Sequence, residues 1–321
     1  MKRDASEQQF SLAEAFVGRK LGANETLERI GTLVKWYRFE QLLGRLHAAE
    51  TGRPSYPPLV MFKALLLAQW YGLSDEGLEE ALNDRLSFRR FAGLGLDGDT
   101  PDHTTLCRFR NDLAAAGLTE KLFAEMNRQL ERLGLVLKRG TLIDATLVEA
   151  ATRPPAFGSG EEGTDPDAAF ARRAGRGGSS YGFKAHVAVD EGSILIRDAL
   201  LTPGNVNDTV VADALIQGDE QAIYADAAYD THARRAMLKA RGIKDRIMHR
   251  PNKHHPELPP WQKQRNRAIS AIRARVETVF AILKRHYGYV RVRYRGLIKN
   301  QSHLHLLCLA LNLRRAVVLT R

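Results

Sequence analysis

Three carboxylates stand where acids do chemistry. Asp144 closes the apolar run TLI, Asp226 closes AIYA, and Glu277 lies inside RNRAISAIRARVETVFAILKRHYG. Short apolar runs rich in β-branched residues read as strands, so two acids sit at strand ends and the third on a later helix. Such a set can converge on one point. Carboxylate oxygens are the hard ligands that Mg²⁺ prefers, and Mg²⁺ keeps positions open for water and phosphate. Two such ions about 3.5–4 Å apart activate an attacking oxygen and stabilise a leaving one in phosphodiester cleavage. Each acid also has a plainer use. Glu277 is one helical turn from Arg273 and is spaced to pair with it. Asp144 and Asp226 suit the capping of a turn after a strand. Of the neighbouring acids, Asp230 suits the N-cap of the next helix, and Glu149, beyond the strand, is a spare candidate.

The charge balance narrows the substrate. The 321-residue chain carries a formal net charge of +11 and a pI near 9.8, which points to a polyanionic partner. Residues 261–315 hold thirteen Lys or Arg and a single acid, Glu277. That segment's excess of +12 accounts for the whole chain's net positive charge. The two cysteines, Cys107 and Cys308, read as buried thiols, and no Cys/His spacing suggests zinc. The N-terminus lacks a secretory pattern and no apolar stretch is long enough to span a bilayer. The expected setting is the cytoplasm.

The elements that must position these residues fall into two regions. Residues 1–135 read as helices, with apolar residues at three- and four-residue steps such as Leu59, Phe62, Leu66 and Trp70. Ser74 is placed to cap one helix, and Asp102 or Thr104 to cap another. From about 136 the pattern is mixed α/β: strands around TLIDATLV, YGFKAHVAVD, SILIRDALLT, QAIYADAAYD and IKDRIMHR, with helices between and after them. A Gly-, Pro- and Ser-rich stretch at about 153–180 reads as a flexible loop. A Pro-rich piece at about 250–264 reads as a small insertion ahead of a long basic helix. A last helix covers roughly 301–318.

Arg273, Glu277 and Lys284 stand in the spacing R-x(3)-E-x(6)-K. This resembles the signature of the insertion-sequence DDE transposases of groups four and five, Y-x(2)-R-x(3)-E-x(6)-K, with Ser270 in place of the tyrosine. LIDATLVEA, YGFKAHVAVD, TPGNVND, YADAAYD and the helical stretch PPLVMFKALLLAQWYGLSDEGLEEALNDRLSFRRFAGLGL are similar to segments of the group-five enzymes, in the same order. The resemblance covers nearly the whole chain. It implies an α/β, RNase H-like catalytic domain over 136–321, preceded by an all-helical DNA-binding or dimerisation domain over 1–135. It implies that the first and fourth strands bring Asp144 and Asp226 together, and that Glu277 completes a site for two Mg²⁺ ions, for which Mn²⁺ substitutes.

The expected substrate is double-stranded DNA, at transposon ends and at the target, acted on by a homodimer or higher oligomer. Arg273 and Lys284 share a helix face with Glu277, where they suit phosphate contacts or a solvated basic face. Lys184 and His186 alternate on one strand face and are candidates to line the site. Arg275 and Arg285 are further candidate DNA contacts. In relatives with a larger insertion a Trp stacks on an extruded base, which makes Trp261 a candidate, with packing of the insertion as its other reading. Asn205 and Asp208 suit the rim of the site or a turn. Arg85, Arg89, Arg90, Arg108 and Arg110 are candidates for reading terminal repeats. A non-catalytic DNA-binding regulator and a structure-specific nuclease of the same fold remain alternatives.

Overall fold

The computed structural model describes residues 22–44, 46, 55–96, 98–154, 164–172, 179–251 and 256–321. They form two compact units. One comprises the described residues up to Gln129 with His305–Arg321, and the other is Leu130–Leu304. The second half of the last helix therefore belongs with the N-terminal helices, whereas the sequence reading put it in the catalytic region. No helix among the described residues is long and apolar enough to cross a membrane.

The first unit is helical: α1 (Glu25–Leu33), α2 (Trp36–Leu43), α3 (Pro58–Tyr71), α4 (Asp75–Asp84), α5 (Leu86–Ala92), α6 (His103–Ala115) and α7 (Leu118–Arg132). Ser74 accepts a hydrogen bond from the Gly77 N–H and Asp102 from the Thr105 N–H, so both caps form as the sequence suggests. Gly72, at φ +65°, ends α3 in a left-handed conformation that L side chains rarely adopt. Buried aromatics hold the helices together: Phe39 stacks on Phe62 at 5.6 Å, and Trp70 meets Phe91 edge-on at 5.4 Å.

The second unit is built on a six-stranded sheet: β1 (Thr141–Glu149), β2 (Ala169–Arg172), β3 (Ser179–Asp190), β4 (Ile196–Pro203), β5 (Ala222–Ala225) and β6 (Lys244–Ile247). In space the order is β2-β3-β1-β5-β6, with β4 also on β3. β1, β3 and β4 are antiparallel, while β1, β5 and β6 are parallel. This is an RNase H-like sheet. The short α8 (Asp208–Val211) and the helices α9 (His232–Ala240), α10 (Pro260–Arg285) and α11 (Leu297–Leu319) complete it. β2 lies inside the stretch read from sequence as a flexible loop. There, buried Asp165 accepts from the Gly296 N–H and Asp167 from the Leu297 N–H at the start of α11, at 3.1 and 2.7 Å. Of that loop, 155–163 and 173–178 lie outside the described residues, as do 252–255 of the Pro-rich insertion.

Two glycines let these strands cross closely. A Cβ on Gly182 would overlap the Val148 carbonyl and stand 2.7 Å from the Ala150 nitrogen. One on Gly204 would lie 2.6 Å from the Ala169 carbonyl oxygen. The glycines of YGF and PGN thus mark where β1, β2, β3 and the end of β4 meet.

Register decides which side chains share a face, because directly paired residues project to the same side. Ala145 pairs with His186 and Leu147 with Lys184, whereas Asp144 pairs with Val187. His186 and Lys184 therefore stand on the face opposite Asp144. That face carries the buried cluster of Ile143, Ala188, Ala225, Leu238 and Ile247. His186 is fully buried, its Nε2 2.9 Å from the Thr202 hydroxyl. Burial pushes its pKa down to about 4, against a smaller opposing pull from the Asp208 charge.

Two predictions follow from this packing. Gly182→Ala should destabilise the fold by roughly 2–3 kcal/mol, since the methyl meets backbone that cannot yield; urea unfolding midpoints measure it, and a loss under about 0.5 kcal/mol would contradict the close crossing. His186 binds its proton more weakly folded than unfolded. Its contribution is complete above pH 6.5 and is lost as pH falls from there towards 4, by on the order of 3 kcal/mol at most. His186→Gln should flatten the fall in stability between pH 7 and 4.5, and parallel curves for the two proteins would show that the imidazole is readily protonated in the fold.

Candidate active site

The site begins with the parallel pair β1 and β5. Thr141 is level with Ile223 and Leu142 with Tyr224. Carried on two residues, the same register sets Asp144 level with Asp226. β5 ends at Ala225, one residue before its acid, while β1 runs on to Glu149. Asp226 thus emerges at the carboxyl end of β5, whereas Asp144, expected at a strand end, lies inside β1 and is still paired with Val187 of β3. Asp226 Oδ1 accepts from the Ala228 N–H at 2.6 Å and so caps the single turn Ala227–Tyr229. Asp144 Oδ1 accepts from the Ala145 N–H at 2.9 Å.

Helix α10 supplies the third side. Its Ile269, Val276, Val279 and Leu283 are buried, and the helix packs on β1 and β5. Arg265 ties its first turns to β6 by donating to the Ile247 and Asp245 carbonyls at 2.7 and 2.8 Å. Arg273 Nη2 donates to Asp144 Oδ2 at 3.0 Å, with side chains only 16% and 21% exposed. The arginine that could have paired with Glu277 within its helix instead reaches across to a strand. Glu277 is one turn further along, about 6 Å by helix geometry, on the same flank as Arg273 and Lys284. It is exposed and forms no ion pair among the described residues. No three His, Cys, Asp or Glu among the described residues stand close enough together to hold a metal ion. The structure brings Asp144 and Asp226 together and leaves Glu277 on the neighbouring helix.

The surroundings of Asp144 act on its carboxyl in opposing ways. Burial raises the Asp144 pKa, the Arg273 charge and the Ala145 N–H oppose this, and the Asp226 charge raises it further. Tyr229, buried behind the strand end, is raised well above the ordinary phenol value by burial and then by the charges of Asp144, Asp208 and Asp226. Its hydroxyl is buried with no hydrogen-bond partner among the described residues. An all-oxygen set with two level carboxylates fits a hard dication. Asp144 and Asp226 are the residues that would hold it.

A scaffold absent from the sequence reading fixes the turn after Asp226. Thr209 donates to the Ala228 carbonyl at 2.6 Å. Buried Arg234 donates to the carbonyls of Tyr229 and Thr209 at 2.5 and 2.7 Å and to Asp213 at 2.6 Å. Lys184 donates to Val206 O and to Asp208 Oδ1 at 2.8 and 2.9 Å, which anchors the loop leading to Thr209. Tyr229 at least carried a signal, three residues past Asp226 in YADAAYD. Arg234 carried none, since a charged residue in a polar helix reads as solvated.

The remaining candidates scatter. Lys184 and His186 do not line the face of Asp144, for the register reason given above. Arg275 lies on the other flank of α10 and bonds Glu191 at 3.2 Å, at the start of β1 rather than its acidic end. Arg285 is exposed in the last turn and Lys284 is half-buried. Trp261, 59% exposed, sits in the first turn of α10 with its ring 5.6 Å from His249. Glu149 pairs with Arg291 at 3.2 Å. Asp230 bonds Arg235 at 2.7 Å, and Thr231, not Asp230, caps α9. Asn205 is exposed. In the helical unit, Arg89 is buried and donates to the Leu82, Gly95, Leu96 and Gly98 carbonyls, while Arg110 pairs with Asp75. Those two arginines are structural; Arg85, Arg90 and Arg108 are exposed.

The comparisons with known proteins agree with this organisation. Residues 137–313 match a family described as a transposase DDE domain, and residues 16–112 match one described as a transposase domain (DUF772). Among solved structures, a piggyBac transposase synaptic complex with hairpin DNA aligns at 11% identity over 94% of this chain and 73% of that one, with a TM-score of 0.45. A pre-cleavage Mos1 transpososome aligns at 15% identity over 98% and 92%, with a TM-score of 0.21. Both scores are too low to carry an argument about geometry. The family match spans more than half the chain, and with the helical domain ahead of it the chain belongs to the DDE transposases, in the architecture typical of insertion-sequence groups four and five.

Proposed function

We propose that this transposase binds the terminal inverted repeats of an insertion sequence and cuts and joins DNA with Asp144, Asp226 and Glu277 as its catalytic acids. The observation that carries the reading is the level placement of Asp144, within β1, and Asp226, just past the end of β5, beside a basic helix. Asp144 and Asp226 hold Mg²⁺, with Mn²⁺ as substitute, and Glu277 joins them from its flank of α10. When bound, the metal supplies Lewis acidity towards the attacking and leaving oxygens of a phosphodiester. Arg273 and Lys284 orient the DNA backbone from the same flank. Water cleaves at the end of the element and leaves a 3′-hydroxyl, which attacks a target phosphodiester in the strand-transfer step.

The helical unit directs the enzyme to its ends, with Arg85, Arg90 and Arg108 among its exposed cations. Two ends must be joined in one reaction, which calls for a homodimer or larger assembly on double-stranded DNA. The place of action is the nucleoid in a bacterial cytoplasm.

Asp226→Asn should keep end-DNA binding and lower Mg²⁺-dependent strand cleavage by more than about a hundredfold, beyond what losing a mere supporting group costs. Cleavage within a few-fold of wild type would remove Asp226 from the metal site.

A further inference from the structure

Arg273 is poorly satisfied where it lies. A guanidinium offers five N–H groups. Among the described residues, one reaches a strong acceptor, Asp144 Oδ2 at 3.0 Å. Nη1 is 3.8 Å from the Met248 sulfur, a weak acceptor, and Nε is buried with no partner. Asp144 is the opposite case: Oδ1 takes the Ala145 N–H and Oδ2 takes Arg273, so both oxygens are engaged. A dication that uses Oδ2 must displace the guanidinium or share the oxygen with it across a short, half-buried distance, where like charges repel strongly.

We infer that Arg273 is an exchangeable counter-ion: it positions Asp144 until a dication takes the carboxylate, and the released guanidinium then clamps a DNA backbone phosphate. This rests on the reading of Asp144 and Asp226 as metal ligands. The planar fork suits the second task, since two parallel N–H groups match two phosphate oxygens and would satisfy the donors left without good acceptors against Asp144. Release needs little rearrangement. The side chain stays on the flank of α10 that carries Glu277 and Lys284, and only the guanidinium must turn. An arginine serving only as structural cement would engage each of its three nitrogens with a strong acceptor, as Arg234 does.

The sign of one measurement separates exchange from cement. Mn²⁺ binding to the full-length protein, followed by the loss of free-ion electron paramagnetic resonance signal, is compared for wild type, Arg273→Gln and Asp226→Asn. Exchange predicts that Arg273→Gln binds Mn²⁺ about three- to tenfold more tightly, because a competitor is gone. It also predicts weaker duplex binding, with a salt slope lower by about one. Unchanged or weaker Mn²⁺ binding by Arg273→Gln, with an unchanged melting temperature, overturns the exchange. Should the Gln variant not fold, Arg273→Lys tests the same sign: without the fork it should hold Asp144 less firmly and bind Mn²⁺ more tightly than wild type, and weaker binding overturns the proposal. If Asp226→Asn abolishes Mn²⁺ binding while the Arg273 variants do not tighten it, only the exchange falls. If wild type binds no Mn²⁺, the metal reading falls and the exchange with it.

Discussion

Two carboxylates at the same level of neighbouring parallel strands repel each other, and the rest of the catalytic unit is arranged around that repulsion. Adjacent strands lie about 4.8 Å apart, so two unit charges there cost roughly 3 kcal/mol at the effective dielectric of a partly buried site. That is too large a term for a marginally stable domain to leave uncompensated. Local backbone N–H groups take part of it, at Ala145 and Ala228, and the Arg273 guanidinium takes more. Burial and the neighbouring Asp226 charge still leave Asp144 above its ordinary pKa.

Fold and charge then divide the work. The close approaches at Gly182 and Gly204 let β1, β2, β3 and the end of β4 run close together, and β1 extends past the four-residue β5. Arg234 and Thr209 fix the backbone of the turn that Asp226 caps, which sets the direction of its carboxylate without touching it. The positive charge is concentrated in residues 261–315, largely on α10 and the segment after it, and so not on the strands that bear the acids. The acids on the sheet are thereby kept apart from most of that charge. A basic residue on the strand beside Asp144 would compete for the carboxylate with no way to turn aside.

Much of this was legible in the sequence, for definite physical reasons. Asp144 and Asp226 stand out because each ends a short apolar run, although capping a turn is a plainer use that Asp226 also serves. The long basic helix and the caps at Ser74 and Asp102 follow from periodicity and hydrogen-bonding residue types. What was not legible depends on pairing. That Lys184 and His186 share a face is a matter of alternation along one strand, but which face is settled by register with β1, a contact across some forty residues. The same holds for Arg273, whose partner is 129 residues away on a strand rather than four residues away on its helix. β2 was hidden because four residues in a Gly-rich stretch carry no periodicity, and its anchor on α11 comes from two aspartates that read as loop residues. Arg89 misled in the other direction, since a charged residue that satisfies backbone carbonyls indoors has the same letter as one that meets DNA.

The choice of arginine at 273 follows from these demands taken together. The position must neutralise a half-buried carboxylate, lie against the sulfur of Met248, and share a helix flank with an acid and a lysine. A lysine ammonium is more strongly hydrated and concentrates its charge in one compact group, so it would hold the carboxylate less firmly and turn to water instead. The guanidinium is weakly hydrated and planar. It can lie against an apolar wall with donors unmet at less cost, and it keeps those donors directed outward in a fixed fork. A side chain that is adequate for the carboxylate but better matched to a phosphate is what a site needs when its two anionic partners, one permanent and one brought by the substrate, must be served in turn.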